Sequence, residues 1–131
     1  MTYTNGAQTI TTYPGKRIIK SGADKATTVA EVKWLTDKLV ELSASWKMSG
    51  WGYVCDISHM PPVTPEISEE LINLHKKLAA SNCRAMAFVN FAAFITGAQA
   101  KEHQKKSNAA IQENTFKTEA EAIAWIDTIV K

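Results

Sequence analysis

The feature that most constrains this chain is a regular alternation between two hydrophobic periods. Short β-favouring runs at Tyr53 to Ile57, Arg84 to Asn90 and Ile111 to Phe116 alternate with stretches whose apolar residues recur every three or four positions. The short runs have the length of strands, and the longer stretches bury one face of a helix. Strands that alternate with helices are joined by crossovers, the pattern of a mainly parallel sheet covered by helices.

The opening of the chain departs from that alternation. Gln8 to Tyr13 and Arg17 to Lys20 read as two strands flanking Pro14-Gly15. Proline at the second position and glycine at the third suit a type II turn, in which glycine supplies the positive φ. A helix is then predicted over 28–46, with Val29, Val32, Leu35, Leu39, Leu42 and Trp46 on one face, before Gly50 and Gly52 break the pattern around Trp51. Tyr53 to Ile57 is apolar enough for a central strand covered on both sides. Thr64-Pro65-Glu66 opens the next helix with a hydroxyl N-cap, a proline at the first helical position and an acid in the first turn. Ile67, Leu71, Leu74 and Leu78 form its apolar stripe.

Further on, residues 91–106 read as a helix, apolar early and basic late. Lys101, Lys105 and Lys106 complement its C-terminal dipole. Thr118 and Glu121 have capping-box spacing for a last helix, with Ile123, Ile126, Ile129 and Val130 inward. The expected order is β-β-α-β-α-β-α-β-α, an α/β fold with a four- to five-stranded mixed, mostly parallel sheet.

At 131 residues the chain is expected to form a single domain, 1–131, without linker or repeat. It is long enough to bury roughly two-thirds of its unfolded surface. Hydrophobic residues make up 45% and charged residues 21%, which argues against disorder. The net charge of +2 gives no electrostatic case for nucleic acid. Apolar stretches such as Ala85 to Val89 and Phe91 to Ile95 fall far short of the ~20 residues that span a bilayer. Met1 to Ala7 lacks the basic start and apolar run of a secretory signal, so a cytoplasmic location is expected. Cys55 and Cys83 sit in apolar runs and read as buried thiols rather than a disulfide. With His59, His75 and His103 scattered, there is no zinc spacing, and neither metal nor cofactor is expected.

Two segments carry a family resemblance. The element order, with Asp56-Ile57-Ser58 closing a central strand, resembles the STAS domains, the sulfate transporter and anti-sigma factor antagonist modules. The closing Phe116-Lys117-Thr118-Glu119-Ala120-Glu121-Ala122-Ile123-Ala124-Trp125-Ile126 is similar to the tail of small bacterial SpoIIAA-like proteins. The resemblance spans nearly the whole chain as topology and short patterns. It implies a four- or five-stranded sheet with helices, and work done by protein contact or ligand sensing rather than turnover. Anti-sigma antagonists carry an Asp-Ser-Ser-Gly-like segment with a phosphorylated serine where the second helix begins. Here that region reads Pro61-Pro62-Val63-Thr64-Pro65-Glu66-Ile67-Ser68. The phospho-switch does not carry over, and Thr64 is merely the nearest hydroxyl.

The segment from Asp56 to Ser68 is the functional candidate. A strand's carboxyl end leading into a helix N-terminus presents free amides and a favourable dipole to an anion. Asp56, Ser58, His59, Met60, Thr64 and Ser68 belong to it, and Asn90 ends the neighbouring strand. The competing reading is local: Thr64 caps, Asp56 and Ser58 satisfy loop amides, and His59 is solvated. Trp34, Trp46, Trp51 and Trp125 are expected to pack in the core more than to line a ligand pocket. No Gly-rich phosphate loop, nucleophile elbow or metalloprotease spacing is present. Two functions are therefore carried forward. One is a non-catalytic regulatory module that docks a protein partner through residues 56–68, with a homodimer allowed. The other is a carrier or sensor for a small anionic or apolar, lipid-like ligand in the same crevice.

Overall fold

Pro14 and Gly15 turn the chain as their residue types require. Gly15 has φ +74°, and the Lys16 amide donates to the Tyr13 carbonyl at 3.2 Å. This turn joins β2 (Gln8–Thr12) to β3 (Ile18–Ala23), which pair antiparallel. The computed structural model describes residues 1–59, 63–89 and 111–130. Within them an additional strand, β1 (Thr2–Asn5), pairs antiparallel with β2. Its sequence, Thr-Tyr-Thr-Asn, carries no apolar alternation, because it is a mostly exposed edge strand from which Tyr3 alone packs against the core.

From β3 onward every pairing is parallel. β4 (Trp51–Asp56) lies beside β3, β5 (Cys83–Val89) beside β4, and β6 (Gln112–Phe116) beside β5. The six strands stand in chain order across the sheet. Among the described residues the sheet thus has six strands rather than the four or five expected, the addition being β1. The helix expected over 91–106 and the site residues Met60 and Asn90 lie outside the described residues.

Helix α1 (Val29–Leu42) begins at a full capping box: Thr28 accepts from the Glu31 amide, and the Glu31 carboxylate accepts from the Thr28 amide. The α-helix stops at Ser43, and a 3₁₀ turn over Ala44–Trp46 completes the expected stripe. Helix α2 (Pro65–Ala80) starts at Thr64, whose hydroxyl accepts from the Ile67 amide at 3.4 Å. Helix α3 (Glu119–Asp127) is capped by Thr118.

The two faces of the sheet follow from side-chain alternation along each strand. Ile19, Trp51, Tyr53, Met86 and Phe88 pack with Leu35, Leu39, Leu74 and Leu78 of α1 and α2. Ile18, Val54, Ala85, Ala87 and Val89 pack with Ala122 and Ile126 of α3. One irregularity maintains this division. Arg84 is an extra residue where Trp51 pairs with Cys83 and Gly52 with Ala85. The bulge lets Cys83 and Met86, three positions apart, both join the α1/α2 core. All four tryptophans pack as expected: Trp51 is fully buried and donates to the Ser81 carbonyl at 3.0 Å, while Trp34, Trp46 and Trp125 lie against the cores.

Candidate functional site

Two adjoining hollows lie at the carboxyl ends of β3 and β4, where open α/β sheets place their ligands. The first lies between the sheet and α1/α2 and is partly open to solvent. It has a volume of about 40 Å³ and is walled by Leu35, Leu74, Met86 and Phe88, with Ile57 and Leu71 toward α2's start. Space of that size accommodates roughly two or three water molecules. Several polar groups also reach it: Gln8, Ser21, Tyr53, Cys55, Asp56 and His75.

Most of these polar groups are already engaged. The Ser21 and Tyr53 hydroxyls hydrogen-bond each other across the register between β3 and β4. The Gln8 amide donates to Thr27 Oγ1 at 3.1 Å. Asp56 Oδ1 accepts from the Ser58 amide at 3.0 Å. His75 is only 3% exposed, and its Nδ1 lies 2.8 Å from the Leu71 carbonyl one turn earlier in α2. A carbonyl only accepts, so Nδ1 carries the ring proton and donates it. Nε2 has no hydrogen-bond partner among the described residues.

Burial sets the protonation of the site. It lowers the His75 pKa, an effect the Leu71 hydrogen bond partly offsets. It pushes the Cys55 thiol up to about 11 and the Tyr53 phenol well above its ordinary value. Desolvation disfavours each charged form, so the imidazole, the thiol and the phenol are held neutral at pH 7.

The second hollow is an open groove of about 190 Å³ on the α3 side of the same strand ends. Thr9, Thr11, Lys20, Asp24, Asp56 and His59 line it, and Gly22 and Ala23 border both hollows. Lys20 is paired with Glu119 at 2.5 Å, which reduces its pull on a ligand.

The structure brings only part of the sequence-derived set together. Among the described residues of that set, Asp56 reaches both hollows and His59, which is exposed, reaches the groove. Ser58 continues the strand end, its hydroxyl donating to the Val89 carbonyl at 3.3 Å. Thr64 caps α2, and Ser68 sits in its first turns with its amide bonded to the Thr64 carbonyl at 2.9 Å. The capping reading therefore accounts for Thr64.

Gln8, Ser21, Tyr53 and His75 were absent from the sequence-derived set. A signal existed for His75: it is polar yet falls at the helical spacing of Leu71, Leu74 and Leu78. For Gln8 and Ser21 the signal lies in the hairpin register, which the sequence does not print. Among the described residues no cluster of His, Cys, Asp or Glu is arranged to hold a metal, and no helix is long and apolar enough to cross a membrane.

No family model matches this chain, and neither does any curated protein. Among solved structures, the chain is similar to an uncharacterized DUF3478-family protein from Shewanella loihica PV-4, described as having a SpoIIAA-like fold. The TM-score is 0.71 at 13% identity, over 96% of this chain and 98% of that one. The fold is therefore SpoIIAA-like, as the resemblance in the sequence implied.

Proposed function

We propose that this chain is a non-catalytic regulatory binding module that holds a small molecule between its sheet and α2. The supporting observation is the partly open hollow at the carboxyl ends of β3 and β4, where mostly apolar walls carry a few convergent polar groups. That combination is the general form of a small-molecule site. Its chemistry suits binding better than turnover. A thiol with a raised pKa is a poor nucleophile.

The wall composition favours an apolar ligand over an anion. No lysine or arginine is among the described residues that line the hollow, and Asp56 would repel a negative group. Asp56 and Ile57 also begin the 56–68 segment, so an occupied hollow would be felt directly by the surface that this reading assigns to a protein partner. In this reading the protein works in the cytoplasm, where Cys55 and Cys83 stay reduced.

The test is a small-fragment screen followed by backbone amide shifts. Perturbations converging on Ser21, Tyr53, Leu74 and His75 are expected, and Ala23→Leu, which fills the hollow from β3, should abolish them. Shifts confined to the exposed 56–59 surface, or insensitive to Ala23→Leu, would defeat the reading.

A further inference from the structure

The unfinished hydrogen bonding of His75 says what kind of molecule the hollow suits. Nδ1 spends the ring's only proton on the Leu71 carbonyl, so Nε2 presents a lone pair. The ring is 3% exposed, lines the hollow, and finds no partner for Nε2 among the described residues. With Nδ1 committed to Leu71, Nε2 is the ring nitrogen left to meet a ligand in the hollow that His75 lines. An unpaired buried acceptor is costly, and a ligand that completes it recovers that cost.

The other polar groups are already engaged, Asp56 through Oδ1 with the Ser58 amide at 3.0 Å. The Ser21 and Tyr53 hydroxyls share one hydrogen bond, and the Gln8 amide N–H is committed to Thr27. Leu35, Leu74, Met86 and Phe88 offer only apolar surface.

Building on the ligand reading above, we infer that the site takes a small, uncharged, mostly apolar molecule bearing one N–H or O–H donor, which it gives to His75 Nε2. His75 is then the residue that sets specificity. An isosteric molecule with an acceptor in place of that donor faces the lone pair and is rejected.

Pyrrole and furan test this directly, being five-membered rings that differ at N–H against O. Each is titrated into the intact protein and followed by amide shifts, with acetate as the anionic probe. Pyrrole is expected to bind about tenfold more tightly than furan, the worth of one hydrogen bond against one unpaired acceptor. His75→Leu should bring the two rings to equal affinity. Because that variant changes a buried side chain, the wild-type His75 Nε2 nitrogen shift is read as well, and it should move with pyrrole and stay put with furan.

Equal binding of both rings at Ser21, Tyr53 and Leu74 would overturn the donor assignment while leaving the ligand reading intact. So would a preference that survives in His75→Leu, or an Nε2 shift that pyrrole leaves unmoved. Tighter binding of acetate at the same residues would overturn it in favour of an anion site. Binding of neither ring would overturn both readings and leave a cavity occupied by water alone.

Discussion

The two faces of one sheet are built to different rules. Toward α3 the strands present Val54, Ala85, Ala87 and Val89, small residues that let the helix approach closely. Gly52 marks the limit, since a Cβ there would collide with the Ile126 side chain. Toward α1 and α2 the same strands present Trp51, Tyr53, Met86 and Phe88. Large side chains hold the helices further off and do not fill the space between them completely. The polar side chains Gln8, Ser21 and His75 line the hollow on the α1/α2 side. One face is closed by dense apolar packing, and the other keeps polar groups beside unfilled space, which is where a fold can afford a site.

The largest effect should come from breaking the close-packed face. Ile126→Ala removes a fully buried side chain opposite Gly52 and should cost about 3–4 kcal/mol in urea unfolding. A loss below ~1 kcal/mol would mean that this face is not packed as described. The hydroxyl pair on the other face should respond in a way that dense packing does not. Ser21→Ala or Tyr53→Phe alone leaves a buried partner unpaired and should cost ~1–3 kcal/mol. The double variant should cost less than the sum by ~1 kcal/mol, and strict additivity would show that the two hydroxyls do not act as a pair.

His75 makes the second face sensitive to acid. Its folded-state pKa lies below the unfolded 6.5, so on acidification the unfolded chain binds the proton first. Stability should therefore fall as pH drops from 6.5 toward the lowered native value, by up to ~1.4 kcal/mol per pH unit. His75→Leu should flatten that slope; an unchanged slope would place the titration elsewhere. The smallest effect belongs to the ion pair at 2.9 Å between Lys16 of the β2–β3 turn and Asp127 of α3, both ends of which are solvent-accessible. Lys16→Ala should change stability by less than ~0.5 kcal/mol, and a larger loss would mean that the turn helps to seat α3.

Much of the architecture was legible from the chain. Pro14-Gly15 fixed its turn because glycine alone reaches that φ without strain, and Thr64-Pro65 fixed the start of α2 because a helix's first amides need an acceptor. The stripes of α1 and α2 were equally plain. β1 was not, because an exposed edge strand has no buried face to write an alternation. The site was legible only in part. Asp56 was placed correctly at a strand's carboxyl end, since element order determines where such ends lie. Ser21 meets Tyr53 across 32 positions, and no local pattern announces such a pair. Sequence by itself determined the periods, caps and turns, because these depend on neighbours within a few residues. Tertiary structure decided which polar side chains share the hollow and that His75 Nε2 is buried without a partner among the described residues. Those facts depend on strand register and helix spacing, which residues distant in the chain set jointly.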